Sequence, residues 1–328
     1  MRAMQITELT GPDSALALVD IPEPEPVHMM TPDSGVLIDV HAAGVSFPEL
    51  LQTRGEYQMK PPLPFVPGSE VGGIVREVRG EANVASGDRV AAFCMLGAWA
   101  QVAVAPTYFC FKLPDAWDYA EGAALVLNYH TAYFALVTRG RLAEGETVLV
   151  HGAAGGVGTA CLQVAKGFGA RTIAVVSTDE KEQVARAAGA DEVVRSDGSW
   201  KDEVKELTGG GADLVLDPVG GDRFTDSLRS LREFGRLVVV GFTGGSIPEV
   251  RVNRLLLNNT DVVGAGWGAS VLSQPERTQR IGAAIEGLIE AGQVRPVIGA
   301  RYPLEQAAQA LHLLDDRGAT GKVVLDVA

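Results

Sequence analysis

The sequence has few cysteines, and their placement follows no pattern. Cys94, Cys110 and Cys161 are the only three, and each stands alone in an apolar segment. A disulfide framework needs an even set of cysteines, and a cysteine-based zinc site needs short spacings such as Cys-x-x-Cys. The cysteine content therefore disfavours both, and we interpret the three thiols as buried core residues.

Positive charge and long apolar runs are also scarce. Lysine and arginine number 28 against 41 aspartates and glutamates, a formal net charge of -13 that disfavours a nucleic-acid-binding surface. The longest apolar runs, such as LVVVGF, are far too short to span a bilayer. Residues 1–20 lack the basic start and continuous apolar block of a secretory signal. We therefore expect no membrane segment and a cytoplasmic location.

The length of the chain and a change in its sequence pattern predict two domains of different kinds. At 328 residues the chain exceeds one comfortable core. Up to about residue 118, short alternating runs are separated by glycine and proline, which predicts a mostly antiparallel β domain. Apolar strand candidates joined mostly by helical segments then follow at 147–151, 171–177, 192–195, 213–219, 236–242 and 261–265. This alternation predicts an α/β fold with a doubly wound parallel sheet, and a tail that returns to the first domain.

A glycine-rich turn lies between the first of these strands and an amphipathic helix. In that position a turn offers backbone N–H groups and a helix N-terminus to the pyrophosphate of a dinucleotide. Ala153, Gly155 and Gly158 fill the Gly-x-Gly-x-x-Gly fingerprint, so an alanine replaces its first glycine. The turn lacks the Gly-Lys-Ser/Thr ending of a Walker-type loop. The expected cofactor contacts are Gly152, Ala153, Ala154, Gly155, Gly156, Val157 and Gly158.

The end of the second strand indicates which dinucleotide binds. NAD-binding proteins normally have an acidic residue about 20 residues after the glycines, whereas Ser177 stands at this place in the present chain. The missing carboxylate removes the repulsion against a 2′-phosphate, and Lys181 and Arg195 are positioned in sequence to bind that group. The sequence therefore predicts NADPH.

Two alternatives remain open at this point. Asp179 could reach the ribose hydroxyls and favour NADH. Ser177 and Glu180 also have the spacing of a helix capping box, in which case Lys181 would simply be solvated.

Segments along nearly the whole chain resemble the zinc-free quinone oxidoreductase branch of the medium-chain dehydrogenase/reductase superfamily. The segments include HAAGVSFPELLQTRGEY, PPLPFVPGSEVGGIV, GETVLVHGAAGGVG, LDPVGGDRF and ATGKVVL. The resemblance implies a β-rich chaperonin-10-like (GroES-like) substrate domain formed by 1–122 and 267–328. It also implies a Rossmann dinucleotide-binding domain formed by 123–266, and a homodimer that pairs the edge strand near 261–265.

The resemblance assigns further cofactor contacts. It implies that Thr131 packs near the nicotinamide and that Lys322 approaches the cofactor from the returning tail. Ser196 replaces a tyrosine that some relatives place by the adenosine phosphate. The carboxamide of the nicotinamide is expected to be lined by Gly241, Phe242 and Thr243.

The resemblance also assigns the substrate side. Tyr57 matches the family tyrosine that would contact or protonate the substrate, and Ser46 replaces an asparagine common in the family. His130 and His151 are tempting as general acids, but we interpret both as structural histidines in apolar segments.

No metal is expected. The zinc-dependent relatives hold catalytic zinc with a cysteine and a histidine at the places of Ser46 and Ser69, and a structural zinc with four cysteines where this chain has only Cys94. Without a Lewis acid, hydride donation to an electrophilic acceptor is easier than alcohol oxidation. The sequence thus predicts an NADPH-dependent, zinc-independent reductase of small quinones or conjugated enones. The alternatives are an enoyl-thioester reductase, for which only Arg54 and Lys60 offer a basic rim, and a non-catalytic NADPH-binding sensor or structural protein.

Overall fold

The computed structural model describes residues 1–274 and 276–327, so Pro275 and Ala328 of the predicted 267–328 segment lie outside the described residues. The chain divides into two compact units, one formed by Met1–Leu127 with Pro296–Ala328 and the other by Asn128–Arg295.

Strands and helices contribute to both units and are numbered in chain order. The strands are β1 Arg2–Ile6, β2 Leu16–Asp20, β3 Gly35–Val45, β4 Glu70–Arg79, β5 Arg89–Phe93, β6 Val102–Ala105, β7 Cys110–Lys112, β8 Thr147–His151, β9 Arg171–Val176, β10 Glu192–Arg195, β11 Ala212–Asp217, β12 Leu231–Val239, β13 Asp261–Gly264, β14 Ile298–Pro303 and β15 Lys322–Asp326. The helices are α1 Pro12–Ala15, α2 Phe47–Thr53, α3 Tyr119–Gly122, α4 Val126–Tyr133, α5 Gly156–Gly167, α6 Asp179–Ala187, α7 Trp200–Thr208, α8 Phe224–Arg229, α9 Asn253–Asn258, α10 Trp267–Ser273, α11 Glu276–Glu290 and α12 Ala307–Asp315. A π-helical segment, Phe134–Arg139, continues α4.

The first unit is built on a mainly antiparallel sheet. Its strand order is β14-β15-β3-β4-β5-β7, with β6 also paired to β3 and with β14 and β15 parallel to each other. The long strand β3 is almost entirely buried, and its aliphatic side chains pack in a core with Trp99 and with residues of β15 and α12. This architecture confirms the predicted β-rich domain.

The second unit is a doubly wound parallel sheet with strand order β10-β9-β8-β11-β12-β13. Its strands begin or end within a few residues of the predicted ones, because buried parallel strands are nearly continuous apolar runs that the sequence displays directly. The chain moves outward from β8 in one direction and returns to the other side at β11. Ligands of such sheets bind at the carboxyl ends of the strands beside this reversal.

The place where the chain returns to the first unit differs from the predicted residue 267. Helices α10 and α11 belong to the second unit, and the return begins at Pro296. The reason is packing against α5: the Gln163 side chain exchanges hydrogen bonds of 2.9 Å with the backbone N–H and C=O of Arg295, and a Cβ on Gly167 would lie 2.7 Å from Leu288.

The three cysteines are buried and unpaired, in agreement with their interpretation as core residues. Of the helices in the described residues, none has both the length and the apolar character needed to cross a membrane.

Candidate active site

Glycine is favoured at two positions of the turn after β8, for two different reasons. Gly152 has φ +58°, in the left-handed region that side chains disfavour. A Cβ on Gly158 would lie 2.2 Å from the Gly152 carbonyl oxygen and 2.7 Å from the backbone of Ala153. The first helical turn is thus packed directly on the strand end.

The same turn presents the N-terminus of α5. Gly155 is the N-cap residue, with extended backbone and no side chain in the way. The Thr159 hydroxyl donates back to the carbonyl oxygens of Gly155 and Gly156, while the N–H groups of the first helical turn have no intrahelical acceptor. Gly152, Gly155, Gly156 and Val157 are at least partly exposed, whereas Ala153 and Ala154 are buried. The result is a short anion-binding cradle of backbone N–H groups.

The predicted phosphate-binding residues lie together at the ends of β9 and β10. Ser177 directly follows β9, and the Lys181 ammonium donates to its hydroxyl at 3.4 Å. Arg195, at the end of β10, pairs with Asp179 at 2.5 Å and Glu182 at 2.6 Å. Asp179, the residue proposed as a ribose ligand, is therefore engaged with Arg195 in this structure.

The helix cap at this edge differs from the alternative considered from the sequence. Thr178, not Ser177, is the N-cap of α6, and its hydroxyl accepts from the Lys181 N–H at 3.3 Å. Ser177 is exposed and lies outside the helix. The capping box assigned to Ser177 and Glu180 is wrong by one residue, and Ser177 stays available to a ligand.

Two loops at the carboxyl ends of β11 and β12 are joined by hydrogen bonds. The N–H and hydroxyl of Thr243 both donate to the Pro218 carbonyl at 3.1 Å, and the Gly244 N–H donates to the Val219 carbonyl at 2.8 Å. Gly241 and Phe242 precede this contact, and Phe242 is exposed. Thr131 lies buried on α4 of the same unit. These positions remain predictions as nicotinamide contacts.

Two histidines of this unit are neutral at pH 7. Burial lowers the pKa of His130 to about 3 and that of His151 to about 4. The His130 ring packs edge-on to Trp267, and the His151 Nε2 is hydrogen-bonded to the Ser227 hydroxyl at 2.8 Å. A neutral, enclosed imidazole suits the structural role expected for both.

The two predicted substrate residues lie in the first unit, and both are partly exposed. Ser46 is the N-cap of α2, and its N–H donates to the Glu49 carboxylate at 2.8 Å. Tyr57 lines a small pocket with Leu9, Met59 and Phe65. Burial, reinforced by the charge of Glu49, raises the pKa of Tyr57. The phenol therefore stays protonated and can donate a hydrogen bond.

A buried polar network lies behind these residues. The Lys322 ammonium donates to Glu70 Oε1 and, at 2.6 Å, to the Ser46 hydroxyl. The Ser69 hydroxyl donates to Glu49, and burial raises the pKa of that carboxyl. Lys322 thus belongs to the first unit, whereas the other predicted cofactor residues belong to the second.

Sequence reasoning missed Glu49 and Glu70. Both are buried, with 1% of each residue exposed. The signal was weak: each is a single carboxylate inside an apolar segment, PELL and SEVGG. Charged residues are almost never fully buried without a partner, and the side-chain partners of these two carboxylates, Ser69 and Lys322, come from distant segments.

The comparisons with known proteins agree with one another. The model for the alcohol dehydrogenase GroES-like domain matches residues 32–115, and the model for zinc-binding dehydrogenases matches residues 156–285. Human quinone oxidoreductase is 35% identical over 330 residues, covering 99% of this chain and 97% of the relative. The chain belongs to the quinone oxidoreductase branch of the medium-chain dehydrogenase/reductase superfamily.

Solved structures extend this relationship. A probable oxidoreductase from Mycobacterium abscessus is 41% identical, with a TM-score of 0.88 over 100% of this chain and 99% of its own. A mycobacterial protein solved in complex with NADPH is 34% identical, with a TM-score of 0.90 over 100% of both chains. Membership of the quinone oxidoreductase branch therefore covers both units.

Ser46 and Ser69, at the places of the zinc ligands of the zinc-dependent relatives, do not fit a catalytic zinc. Ser46 and Ser69 supply neutral hydroxyls, whereas protein zinc sites use cysteine, histidine and carboxylate ligands. The Lys322 ammonium, itself a cation, donates to Ser46 and Glu70. Across residues 1–274 and 276–327, no group of three or more histidine, cysteine or acidic side chains is arranged to hold a metal.

Proposed function

We propose that this protein is an NADPH-dependent, zinc-independent reductase of small quinones or conjugated enones. The observation that carries the proposal is the cradle at the N-terminus of α5, followed at the end of β9 by Ser177 in place of a carboxylate. The relatives that are quinone oxidoreductases, and the relative solved with NADPH, support the same assignment.

The second unit would hold the dinucleotide through its own backbone and two cations. The N–H groups from Gly156 to Gly158 would bind the pyrophosphate, and Ser177 and Lys181 would bind the 2′-phosphate. The guanidinium of Arg195, which also pairs with Asp179 and Glu182, would add a second positive charge beside the 2′-phosphate. A bound NADPH supplies hydride, and with one proton from solvent this reduces a quinone to a hydroquinone.

The first unit would orient the acceptor with two hydroxyls. Ser46 and Tyr57 are partly exposed, and Tyr57 stays protonated because its pKa is raised. Both can donate hydrogen bonds to an acceptor oxygen on which negative charge develops. The donor set supports zinc independence as part of this proposal, because the cation in contact with Ser46 is the ammonium of Lys322.

The enoyl-thioester alternative gains little from the fold. It needs basic residues for the phosphates of an acyl carrier, and the guanidinium of Arg54 is already paired with the Asp315 carboxylate. The protein is expected to act on small molecules, without nucleic-acid or membrane partners, and we place it in the cytoplasm.

We also propose a homodimer formed through β13, which lies at the edge of the parallel sheet. An exposed edge strand is a site for pairing with a second copy. Beside it in sequence, Val252, Leu256 and Leu257 are each more than 70% exposed. Light scattering after size exclusion should give twice the chain mass, and Leu256→Glu with Leu257→Glu should shift it toward the monomer; a monomeric wild type would refute the dimer.

The test of the proposed function is turnover by chelator-treated protein. We expect consumption of NADPH, in preference to NADH, with an ortho-quinone or a simple enone as acceptor. Tight NADPH binding without turnover would favour the sensor, and turnover confined to enoyl thioesters would favour the thioester reductase. Dependence on added zinc would refute zinc independence.

A further inference from the structure

Three strand ends converge on one buried ion pair. Ser46 follows the end of β3, Glu70 begins β4 and Lys322 begins β15. The antiparallel register pairs Val45 with Val323, which brings the side chain of Lys322 to the residue after β3. The network is therefore fixed by the central pairing of the first unit's sheet.

The ion pair is almost completely removed from water. The side chains are 3% exposed for Lys322 and 1% exposed for Glu70. The second Glu70 oxygen accepts from the Leu127 N–H at 2.9 Å, which fixes the carboxylate further. Desolvating two charges is costly, and apolar residues of similar volume often give equal or greater stability than a buried pair. Stability alone therefore does not account for the ammonium, and the other group that it contacts suggests a further role.

The other group is the partly exposed hydroxyl of Ser46, and the donors and acceptors of the contact show which atom carries the shared proton. An ammonium has three donors and no acceptor, so in the 2.6 Å contact Lys322 donates and Ser46 Oγ accepts. The hydroxyl proton of Ser46 must then point away from Lys322. The Glu49 oxygens already accept from the Ser69 hydroxyl and the Ser46 N–H. On the partly exposed side of Ser46, an oxygen of a bound electron acceptor could accept this proton.

We propose that Lys322 is a positioning residue that turns the Ser46 hydroxyl into an oriented, strengthened hydrogen-bond donor for the carbonyl oxygen of the electron acceptor. A hydroxyl that accepts from a cation is a better donor, because hydrogen bonds in a chain polarise one another. Negative charge builds on the acceptor oxygen during reduction, and a preorganised donor stabilises it. This inference rests on the proposed function and adds a positioning role for Lys322, whose contact with the cofactor stays a prediction.

The test removes both charges together. The variant Lys322→Met/Glu70→Gln leaves no unpaired buried charge, and the glutamine oxygen can still accept from the Leu127 N–H. It is compared with Ser46→Ala and with the triple variant. The measurements are kcat and KM for an ortho-quinone, NADPH affinity by fluorescence titration, and the thermal denaturation midpoint.

We expect the charge-free variant to lose about tenfold in kcat, with KM and NADPH affinity nearly unchanged, because a donor that acts mainly in the transition state is weakened. In the Ser46→Ala background the same charge removal should have no further effect, since no hydroxyl is left to direct. In a Ser46→Thr background, which keeps a hydroxyl, the loss should reappear.

Two results would overturn the inference, and they are distinguishable. If the charge removal lowers kcat equally with and without the Ser46 hydroxyl, or only in step with the thermal midpoint, then Lys322 has a structural role alone. If the wild type reduces no quinone or enone, the proposed function fails and the inference fails with it. NADPH titration separates that case from a loss of the cofactor site.

Discussion

Gly155→Ala should weaken NADPH binding strongly while leaving the free protein folded. Gly155 has φ -80° and ψ 177°, which alanine adopts without strain. An added Cβ would meet only the Gly152 carbonyl oxygen, at 3.4 Å, so we expect a stability change within about 0.5 kcal/mol. In a dinucleotide fingerprint this position is where the backbone approaches the pyrophosphate. Losing one charge-assisted hydrogen bond of about 1.5–3 kcal/mol corresponds to roughly 10- to 100-fold weaker binding.

The assay is NADPH fluorescence titration paired with thermal denaturation. Gly287→Ala on α11 is the matched control, because its Cβ would enter open space and the change should add about 1 kcal/mol of helix stability. Gly158→Ala is the opposite control, since its Cβ clashes with the turn and should destabilise the fold itself. Wild-type NADPH affinity in a folded Gly155→Ala protein would refute nucleotide binding at this turn.

Four further predictions concern the Arg195 ion pairs, the buried Lys322 ion pair, the buried His151 and metal removal. Asp179→Asn should release Arg195 from one carboxylate and tighten NADPH binding about two- to fivefold, without an equal gain for NADH in parallel titrations. Lys322→Met alone should lower the free energy of unfolding, measured with urea, by about 3–5 kcal/mol, because it leaves the Glu70 charge buried without a partner. Adding Glu70→Gln should restore most of that free energy, and an equal loss in both variants would contradict the prediction. The pKa of His151 is about 4 in the folded protein, below the 6.5 of an unfolded histidine, so the unfolded chain binds a proton first as the pH falls. The thermal midpoint should therefore fall as the pH drops from 6.5 toward 4. The fall should be less steep in His151→Gln. Dialysis against a chelator should leave quinone turnover unchanged, and recovery only with zinc would count against the Lys322 assignment.

The parallel sheet was predictable because its signal is local. A strand buried on both faces must be apolar along its whole length, and β8, β9 and β10 coincide with predicted runs to within one residue. The helix cap after β9 shows the limit of such signals. Ser177 and Thr178 carry the same hydroxyl chemistry, and only the backbone angles of the folded chain select Thr178 as the cap.

The return of the chain to the first unit was harder to place for a different reason. Helix α11 is amphipathic, and its pattern shows that one face is buried without showing which unit covers it. The contacts that decide it, from Gln163 and Gly167 of α5 to the end of this segment, join positions more than 100 residues apart. Such pairings depend on tertiary structure that one sequence does not display.

The polar network was unpredictable on the same grounds. Ser46 and Lys322 were each named from matched motifs, but their contact spans 276 residues and depends on the register between β3 and β15. The sequence around Glu70 indicates no role for it, because a lone carboxylate at a strand start is usually a solvated end. The structure shows that Glu70 is buried, so its carboxylate is not a solvated strand end.

The identity of the cation beside Ser46 also predicts which class of substrate reacts. Zinc accepts lone pairs, so it can bind an alcohol oxygen and favour its deprotonated form. The Lys322 ammonium can only donate, and it reaches the partly exposed face of the unit through the neutral hydroxyl of Ser46. A hydrogen bond from such a donor stabilises the delocalised charge on the oxygen of a reduced quinone or enone, whereas the localised charge of a simple alkoxide needs the stronger stabilisation of a Lewis acid in either direction. We therefore expect reduction of quinones and enones with NADPH and no measurable oxidation of simple alcohols with NADP⁺. Alcohol oxidation at a comparable rate, measured in the same chelated preparation, would show that the Lys322 and Ser46 pair is not the charge-stabilising element of the site.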